Sequence, residues 1–342
     1  MIKYLRSIIY FVFSALLLIA YLPSYSDEKY ESNKKSIVLG ALKFPSHAAS
    51  FIAYEKGYFN DENLLIKFKY YDSAYSMANA LISKDIDFAI TAITPELVNN
   101  AIGANESIKI FGGMLKEDEK NSQLILSSTE SYKNGLNSIK AFKNYNDTLF
   151  GVTSKGSTFH YMAYKIYESL GIKNLPIVVL NDVTTIKEKL KKNAISSMTI
   201  ISGIGNELID NNEAKAIGTI FDIIPNYQIT VMFTSKKLLD NERKIVKKFK
   251  KAIKKGARDY NHAFIDQMSS EKEKSEIVLI LKKYIYPNLS QQEAEKMIEN
   301  GAMRLTPNKR INMDSIDDQL KFFENEGLIP NDVKSSDIVS DL

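Results

Sequence analysis

Residues 36–59 read SIVLGALKFPSHAASFIAYEKGYF, and residues 80–91 read ALISKDIDFAIT. Ser36 to Leu42 is an almost unbroken apolar run, the pattern of a strand buried on both faces. Pro45 then opens a segment in which Ala48, Phe51, Ile52 and Ala53 share one helical face, and Gly57 stops it. A strand over Leu65 to Tyr70, a helix over Ala74 to Ile82 and a strand over Phe88 to Thr91 follow. Strand, helix and strand in strict alternation build a sheet covered by helices, so the fold class is α/β.

Outward from that core the pattern continues. Pro95 opens another helix, Ile108 to Met114 is a strand, and the charged stretch from Lys116 to Asn121 has no periodicity and reads as a crossover. The alternation then restarts, with strands at Gln123 to Leu126, Thr148 to Thr153, Ile177 to Leu180 and Ser196 to Ile201. Helices are expected over Ser157 to Leu170 and Thr185 to Lys192. Ala216 to Phe221 and Gln228 to Phe233 flank a turn containing Pro225, and from Asn241 the chain is mostly helical.

The halves repeat each other weakly. Gly40 to Ser46 matches Gly151 to Ser157 at an offset of 111, and Leu81 to Thr91 matches Leu190 to Ile200 at 109. Two matches at nearly one offset imply two similar α/β lobes of about a hundred residues each. The expected division is lobe 1 from 36–118 and 225–342, and lobe 2 from 119–224. Two crossovers, near Lys116 to Ser122 and Asp222 to Tyr227, would form a hinge.

Composition removes several function classes. The 342 residues include no Cys, which excludes disulfides, thiolate metal sites and a Cys nucleophile. His47, His160 and His262 are too scattered for a metal motif, so neither a metal nor a cofactor is expected. A net charge of +4 and a pI of 8.7 fall short of a nucleic-acid-binding domain. At the N-terminus, Lys3 and Arg6 precede an apolar run from Ile8 to Leu22, then Pro23 and Ser24-Tyr25-Ser26. This reads as a signal peptide over 1–26, cleaved near Asp27, and places the mature chain in a periplasm. Without Lys3 and Arg6, 43 basic residues face 41 acidic ones. The basic segment from Glu242 to Arg258 is therefore read as a surface helix whose lysines surround a core stripe.

Ligands of open α/β sheets sit beyond the carboxyl ends of the strands, where helix N-termini also point. Four corners qualify. They carry Phe44, Ser46 and His47; Thr91 and Thr94; Ser154, Ser157 and Thr158; and Ser202. Ser46, Thr94 and Ser157 each read either as a helix cap or as a pocket donor. Phe44 is either core or a flat platform for a planar ligand, and His47 either structural or a pocket donor. Helix starts at the corners favour a ligand with an anionic or electron-rich group. No GxSxG, HExxH or P-loop motif occurs, and Gly203-Ile204-Gly205 lacks the third glycine of a dinucleotide fingerprint.

The run Phe51-Ile-Ala53-Tyr-Glu-Lys-Gly57-Tyr-Phe59, followed by Ala80-Leu-Ile-Ser-Lys-Asp-Ile-Asp87-Phe88, resembles the solute-binding proteins of nitrate, sulfonate, taurine and thiamine-precursor ABC importers. Gly151-Val152 with Gly156-Ser157-Thr158-Phe-His160 resembles the second-lobe motif of that family. The likeness covers about residues 36–265. It implies a type II periplasmic-binding-protein fold: two α/β lobes joined by a two-crossover hinge and closing on a small-molecule ligand. A permease in the inner membrane is the implied partner, with no nucleic acid, no catalysis and a monomeric state. Pro45-Ser46-His47-Ala48 resembles the corner of thiamine-pyrimidine binders, whereas Gly156-Ser157-Thr158 resembles that of sulfonate and taurine binders. Lys84 and Asn63 stand where the family has glycine, and Ser196-Ser197 where it has Asp-Ala. The alternatives are an enzyme of the same fold, similar to the thiamine-pyrimidine synthases, and a sensory ligand-binding domain. Those synthases use a Cys-rich motif that this chain lacks.

Overall fold

The computed structural model describes residues 34–103, 108–174, 176–307, 310–340 and 342. The signal peptide expected over 1–26 lies outside them. Among the described residues no helix is long and apolar enough to cross a membrane.

Two five-stranded sheets carry the fold. The first orders its strands β2 (Leu64–Tyr70), β1 (Lys35–Ala41), β3 (Phe88–Thr91), β10 (Gln228–Ser235) and β4 (Ile108–Lys116). The second orders β7 (Ile177–Val179), β6 (Phe150–Val152), β8 (Ser197–Ile200), β5 (Leu124–Ser128) and β9 (Ala214–Thr219). In each sheet the first three strands are parallel and the fourth runs antiparallel to both its neighbours. That fourth strand follows directly after the chain leaves the other sheet. The two matched segments thus fall on the same two strands of two like sheets, β1 with β6 and β3 with β8.

Short helices follow the strands at the expected places. In the first sheet a 3-10 turn, Pro45–His47, leads into α1 (Ala48–Glu55) and then α2 (Tyr58–Asp61). Gly57 ends α1 with φ at 73°, a left-handed backbone that suits glycine. Next come α3 (Ala74–Ile82) and α4 (Pro95–Ile102). The second sheet adds α5 (Thr129–Lys133), α6 (Thr158–Ser169), α7 (Val183–Lys191) and α8 (Ser202–Asp210). Helices α2, α5 and α8 were not among those expected; Ser128 caps α5 by accepting the Ser131 N–H at 3.1 Å. The strand expected from Thr148 begins only at Phe150, because the Thr148 hydroxyl turns back to the Tyr145 carbonyl at 3.1 Å.

The C-terminal third is helical: α9 (Lys236–Asn241), α10 (Arg243–Phe264), α11 (Glu271–Ile285), α12 (Gln291–Gly301), α13 (Met313–Asn325) and α14 (Ser335–Ile338). The basic segment forms α10, and Val246, Phe249, Ile253 and Tyr260 are its buried stripe. Phe249 stacks on Phe88 at 4.1 Å, and burying one such side chain stabilises by about 2–3 kcal/mol. Gly256 lets α10 touch α1, since a Cβ there would stand 2.2 Å from the Ala49 carbonyl oxygen. Lys251 and Lys255 reach Glu62 and Asp61 at 2.7 and 2.9 Å, so the basic face serves the first sheet's own surface.

The two crossovers are hydrogen-bonded to each other. Glu117 N–H donates to the Tyr227 carbonyl at 2.8 Å, and Phe221 N–H donates to the Ser122 hydroxyl at 2.9 Å. Buried Glu117 accepts from Ser122 at 2.6 Å and twice from Gln123. Burial pushes its carboxyl up while those hydrogen bonds oppose the shift.

Candidate functional site

The first corner follows β1. Phe44, half-buried, precedes the 3-10 turn, and its carbonyl accepts the His47 N–H at 3.0 Å. Pro45 fixes the turn, which draws Ser46 and His47 inward; both are buried. His47 is fully enclosed, and neither ring nitrogen has a hydrogen-bond partner. Burial alone pushes its pKa down to about 3, so the ring is neutral at physiological pH. One turn further along α1, the buried Ser50 hydroxyl also has no partner.

The other three corners are satisfied differently. At the second, Thr91 is buried in β3, and Thr94 caps α4 by accepting the Leu97 N–H at 3.3 Å. At the third, the Ser154 carbonyl accepts the Ser157 N–H at 3.2 Å, and the Ser157 hydroxyl accepts the His160 N–H at 3.3 Å. Gly156 lies between them with φ at 73° and donates its N–H to His160 Nδ1 at 3.1 Å. That bond makes Nδ1 the acceptor and leaves the proton on Nε2, which sits 3.7 Å from the Glu326 carboxylate. His160 is pushed down to about 4, mainly by burial and then by nearby Lys155. Thr158 hydrogen-bonds the buried Tyr227 hydroxyl at the crossover. At the fourth corner, Ser202 starts α8 and donates to the Asn121 carbonyl at 3.3 Å.

The corners meet in two pairs. A Cβ on Gly156 would stand 2.4 Å from Pro95 Cγ, so the third corner abuts the second. The first and fourth corners share a cavity of about 10 Å³, room for about one water. Pro45 and Ala48 line it from the first sheet, Ile201 from the second, with Tyr260, Tyr286 and Met297 from the C-terminal helices. Among the described residues no hydrogen bond, ion pair or ring contact joins Phe44, Ser46 or His47 to Ser157 or Thr158. Thus of the expected residues, His47 alone keeps side-chain polar atoms buried and unpartnered.

Sequence reasoning missed Ser50 and the C-terminal contributors. Ser50 could have been found as the next polar residue at i+3 from His47 on an otherwise apolar helix face. Tyr260, Tyr286 and Met297 carried no signal, because their helices lie far along the chain. A larger groove of about 280 Å³ lies at the crossover, between Tyr161, Pro225, Asn226, Asp314 and Asp318. Asp318 there is already held by the Tyr161 hydroxyl at 2.5 Å and Lys165 at 2.9 Å. Among the described residues no group of His, Asp and Glu is placed to hold a metal ion.

The sequence profile of the family described as NMT1/THI5 like matches residues 44–262. No curated protein matches the chain. Among solved structures, a ligand-binding component of an ABC-type import system from Staphylococcus aureus, solved with zinc bound, is 17% identical with a TM-score of 0.68, covering 90% of this chain and 97% of that one. The periplasmic aliphatic sulphonate binding protein SsuA from Escherichia coli is 13% identical with a TM-score of 0.69, covering 90% and 92%. A conserved Candida albicans gene product with the generic periplasmic binding protein fold is 19% identical with a TM-score of 0.64, covering 89% and 96%. At these identities the likeness establishes the fold: two lobes of the periplasmic-binding-protein type.

Proposed function

The chain belongs to the NMT1/THI5-like family, and from that premise we propose that it is a periplasmic solute-binding protein, capturing a small organic molecule between its lobes for an ABC permease. Lobe 1 is 36–118 with 225–342, lobe 2 is 119–224, and the paired crossovers are the hinge. No chemistry on the solute is required. Closure needs only contacts that the open form cannot make.

Of the two ligand classes that the corner motifs suggest, we favour an uncharged nitrogen heterocycle of the pyrimidine type over a sulfonate. The observation that carries this reading is His47, enclosed, neutral and unpartnered on both ring nitrogens. A neutral imidazole offers one donor and one acceptor, which a pyrimidine edge can match and a sulfonate, an acceptor only, cannot. No charged side chain lines the adjoining cavity among the described residues. Phe44, beside it, would supply a flat face.

Thermal-shift measurements with aminopyrimidines, taurine, alkanesulfonates and nitrate test the proposal. An aminopyrimidine should stabilise the mature protein by about 2.7 kcal/mol at a hundredfold excess over Kd. His47→Leu should remove that shift. Stabilisation by a sulfonate that survives His47→Leu would overturn the ligand class. Turnover of the bound molecule would overturn the binding role.

A further inference from the structure

Helix α10 has two faces of opposite character. Its buried stripe, with Val246, Phe249 and Ile253, packs on α1 and reaches Phe88 of the first sheet. At about 100° per residue, Lys244, Lys247, Lys248 and Lys254 lie on the opposite side, interleaved with Lys251, Lys255 and Arg258. These seven cations occupy an arc of about 120° and about 21 Å of helix.

Carboxylates answer only part of this charge. Glu62 meets Lys251 at 2.7 Å and Asp61 meets Lys255 at 2.9 Å. Asp259 approaches Arg258 at 3.5 Å and is shared with Lys56 at 3.1 Å. Lys244, Lys247, Lys248 and Lys254 are exposed or half-exposed, and none of the four has a side-chain partner among the described residues. Seven cations against three carboxylates leave this strip with an excess equal to the +4 of the whole chain. Charge that serves solubility intersperses both signs over a surface, whereas here one sign is gathered on one line.

The place of the strip in the fold bears on what it meets. Helix α10 packs on α1, α2, α9 and α11, all in lobe 1. Lys35, the first residue of β1, pairs with Glu242 at the start of α10 at 2.8 Å. The chain that precedes β1 therefore joins the fold beside the N-terminal end of the strip. That chain holds the apolar run Ile8 to Leu22, and the twelve residues between Leu22 and Lys35 span about 40 Å at most. A precursor whose apolar run lies in a bilayer thus keeps the strip within reach of that bilayer's headgroups.

We propose that the basic strip of α10 docks lobe 1 onto an anionic lipid bilayer and leaves lobe 2 free to move. The apolar face of α10 stays in the protein core, so the contact is ionic and superficial, with ammonium groups among lipid phosphates and no inserted side chain. Such binding is reversible and screened by salt. It turns the search for a membrane partner from three dimensions into two. The solute takes no part, so the test below can fail independently of the proposed solute-binding role.

Vesicle flotation tests this with the chain from Asp27 onward, so that the apolar run contributes nothing. Binding should require phosphatidylglycerol, at about 30% in phosphatidylcholine, and should fall at least about tenfold between about 50 and about 500 mM NaCl. Each cation near such a surface contributes about fivefold, so Lys244→Gln, Lys247→Gln, Lys248→Gln and Lys254→Gln together should weaken partitioning on the order of a hundredfold or more. The control carries Lys133→Gln, Lys140→Gln, Lys143→Gln and Lys189→Gln, four exposed lysines of lobe 2. It loses the same charge and should partition within about twofold of the parent. All eight side chains are at the surface, and matching thermal melts check that both variants fold. No binding by the parent at low salt would overturn the proposal, as would equal binding to vesicles of phosphatidylcholine alone or equal losses in the two variants. Retention on a polyglutamate resin without vesicle binding would overturn it in favour of an acidic polypeptide.

Discussion

The two sheets answer the same architectural problem in the same way, yet their first corners differ in polar bookkeeping. Strand order and strand direction agree position by position. Gly40 packs against Ile86, and Gly151 against Ile195, the matching residues of the repeat. Lys84 and Asn193, also matched, both adopt left-handed backbone. Beyond the strands the likeness ends. The loop after β6 is closed upon itself, with Ser157 capping α6 and His160 accepting from Gly156. The turn after β1 and the first turn of α1 leave His47 and Ser50 without partners. The repeated features hold the sheets, and the proposed recognition rests on unrepeated ones.

The widest contrast should appear in acid. His47 and His160 both have folded pKa values depressed below the ordinary 6.5, to about 3 and about 4. The unfolded chain therefore takes up protons that the native chain refuses. Stability is full above pH 6.5 and falls as pH drops toward those values, by on the order of a few kcal/mol per group. Replacing either residue with Leu should flatten that loss. At neutral pH the two variants should part. His160→Leu strands the Gly156 N–H and should cost about 1–3 kcal/mol. His47→Leu strands nothing and should leave stability within about 1 kcal/mol of the parent. Urea melts from pH 4 to 8 check both; a His47→Leu variant destabilised as much as His160→Leu would break the contrast.

Much of the fold was legible because it rests on local chemistry. Apolar runs, Gly57, Pro95 and the Ser157 cap sit where sequence periodicity and turn residues put them, and Asn63 does adopt the left-handed backbone expected of it, at φ 56°. The site was legible only in part. Residue type placed His47 and Ser202 at strand ends, but whether a hydroxyl is used as a cap depends on which N–H lies within reach. The pairing of the first corner with the fourth depends on α11 and α12, more than 200 residues from β1 in sequence. No periodicity within a helix reports what its buried face will meet across such a distance.

A smaller effect should come from the paired glycines. A Cβ on Gly40 would meet Ile86 Cδ1 at 2.7 Å, the free end of a side chain that can rotate away. A Cβ on Gly151 would meet Ile195 Cδ1 at 2.5 Å and Ile186 Cγ2 at 3.0 Å, so escape from one contact worsens the other. Gly151→Ala should therefore cost about 1–3 kcal/mol and Gly40→Ala about 1 kcal/mol or less. Paired denaturant melts measure this, and the reverse order would show that the second sheet is the looser one.

The smallest effect is also the one whose sign differs between the lobes. A left-handed backbone costs a residue with a Cβ about 1–2 kcal/mol, less for Asn, whose side chain bonds locally. Glycine removes that cost but gives the unfolded chain more freedom, which offsets about 0.4–1 kcal/mol of the gain. Exposed Lys84, at φ 62°, has no side-chain partner among the described residues, so Lys84→Gly should gain about 0.5 kcal/mol. Asn193, at φ 54°, also accepts the Glu130 N–H at 3.2 Å and so ties β8's approach to the start of α5. Asn193→Gly forfeits that bond as well as the Asn advantage, and should lose about 0.5–1 kcal/mol. If both substitutions stabilise alike, the Asn193 bond adds nothing, and the two lobes are equivalent at this turn; if Lys84→Gly destabilises, the lysine stem is packing on a surface where the structure shows it exposed.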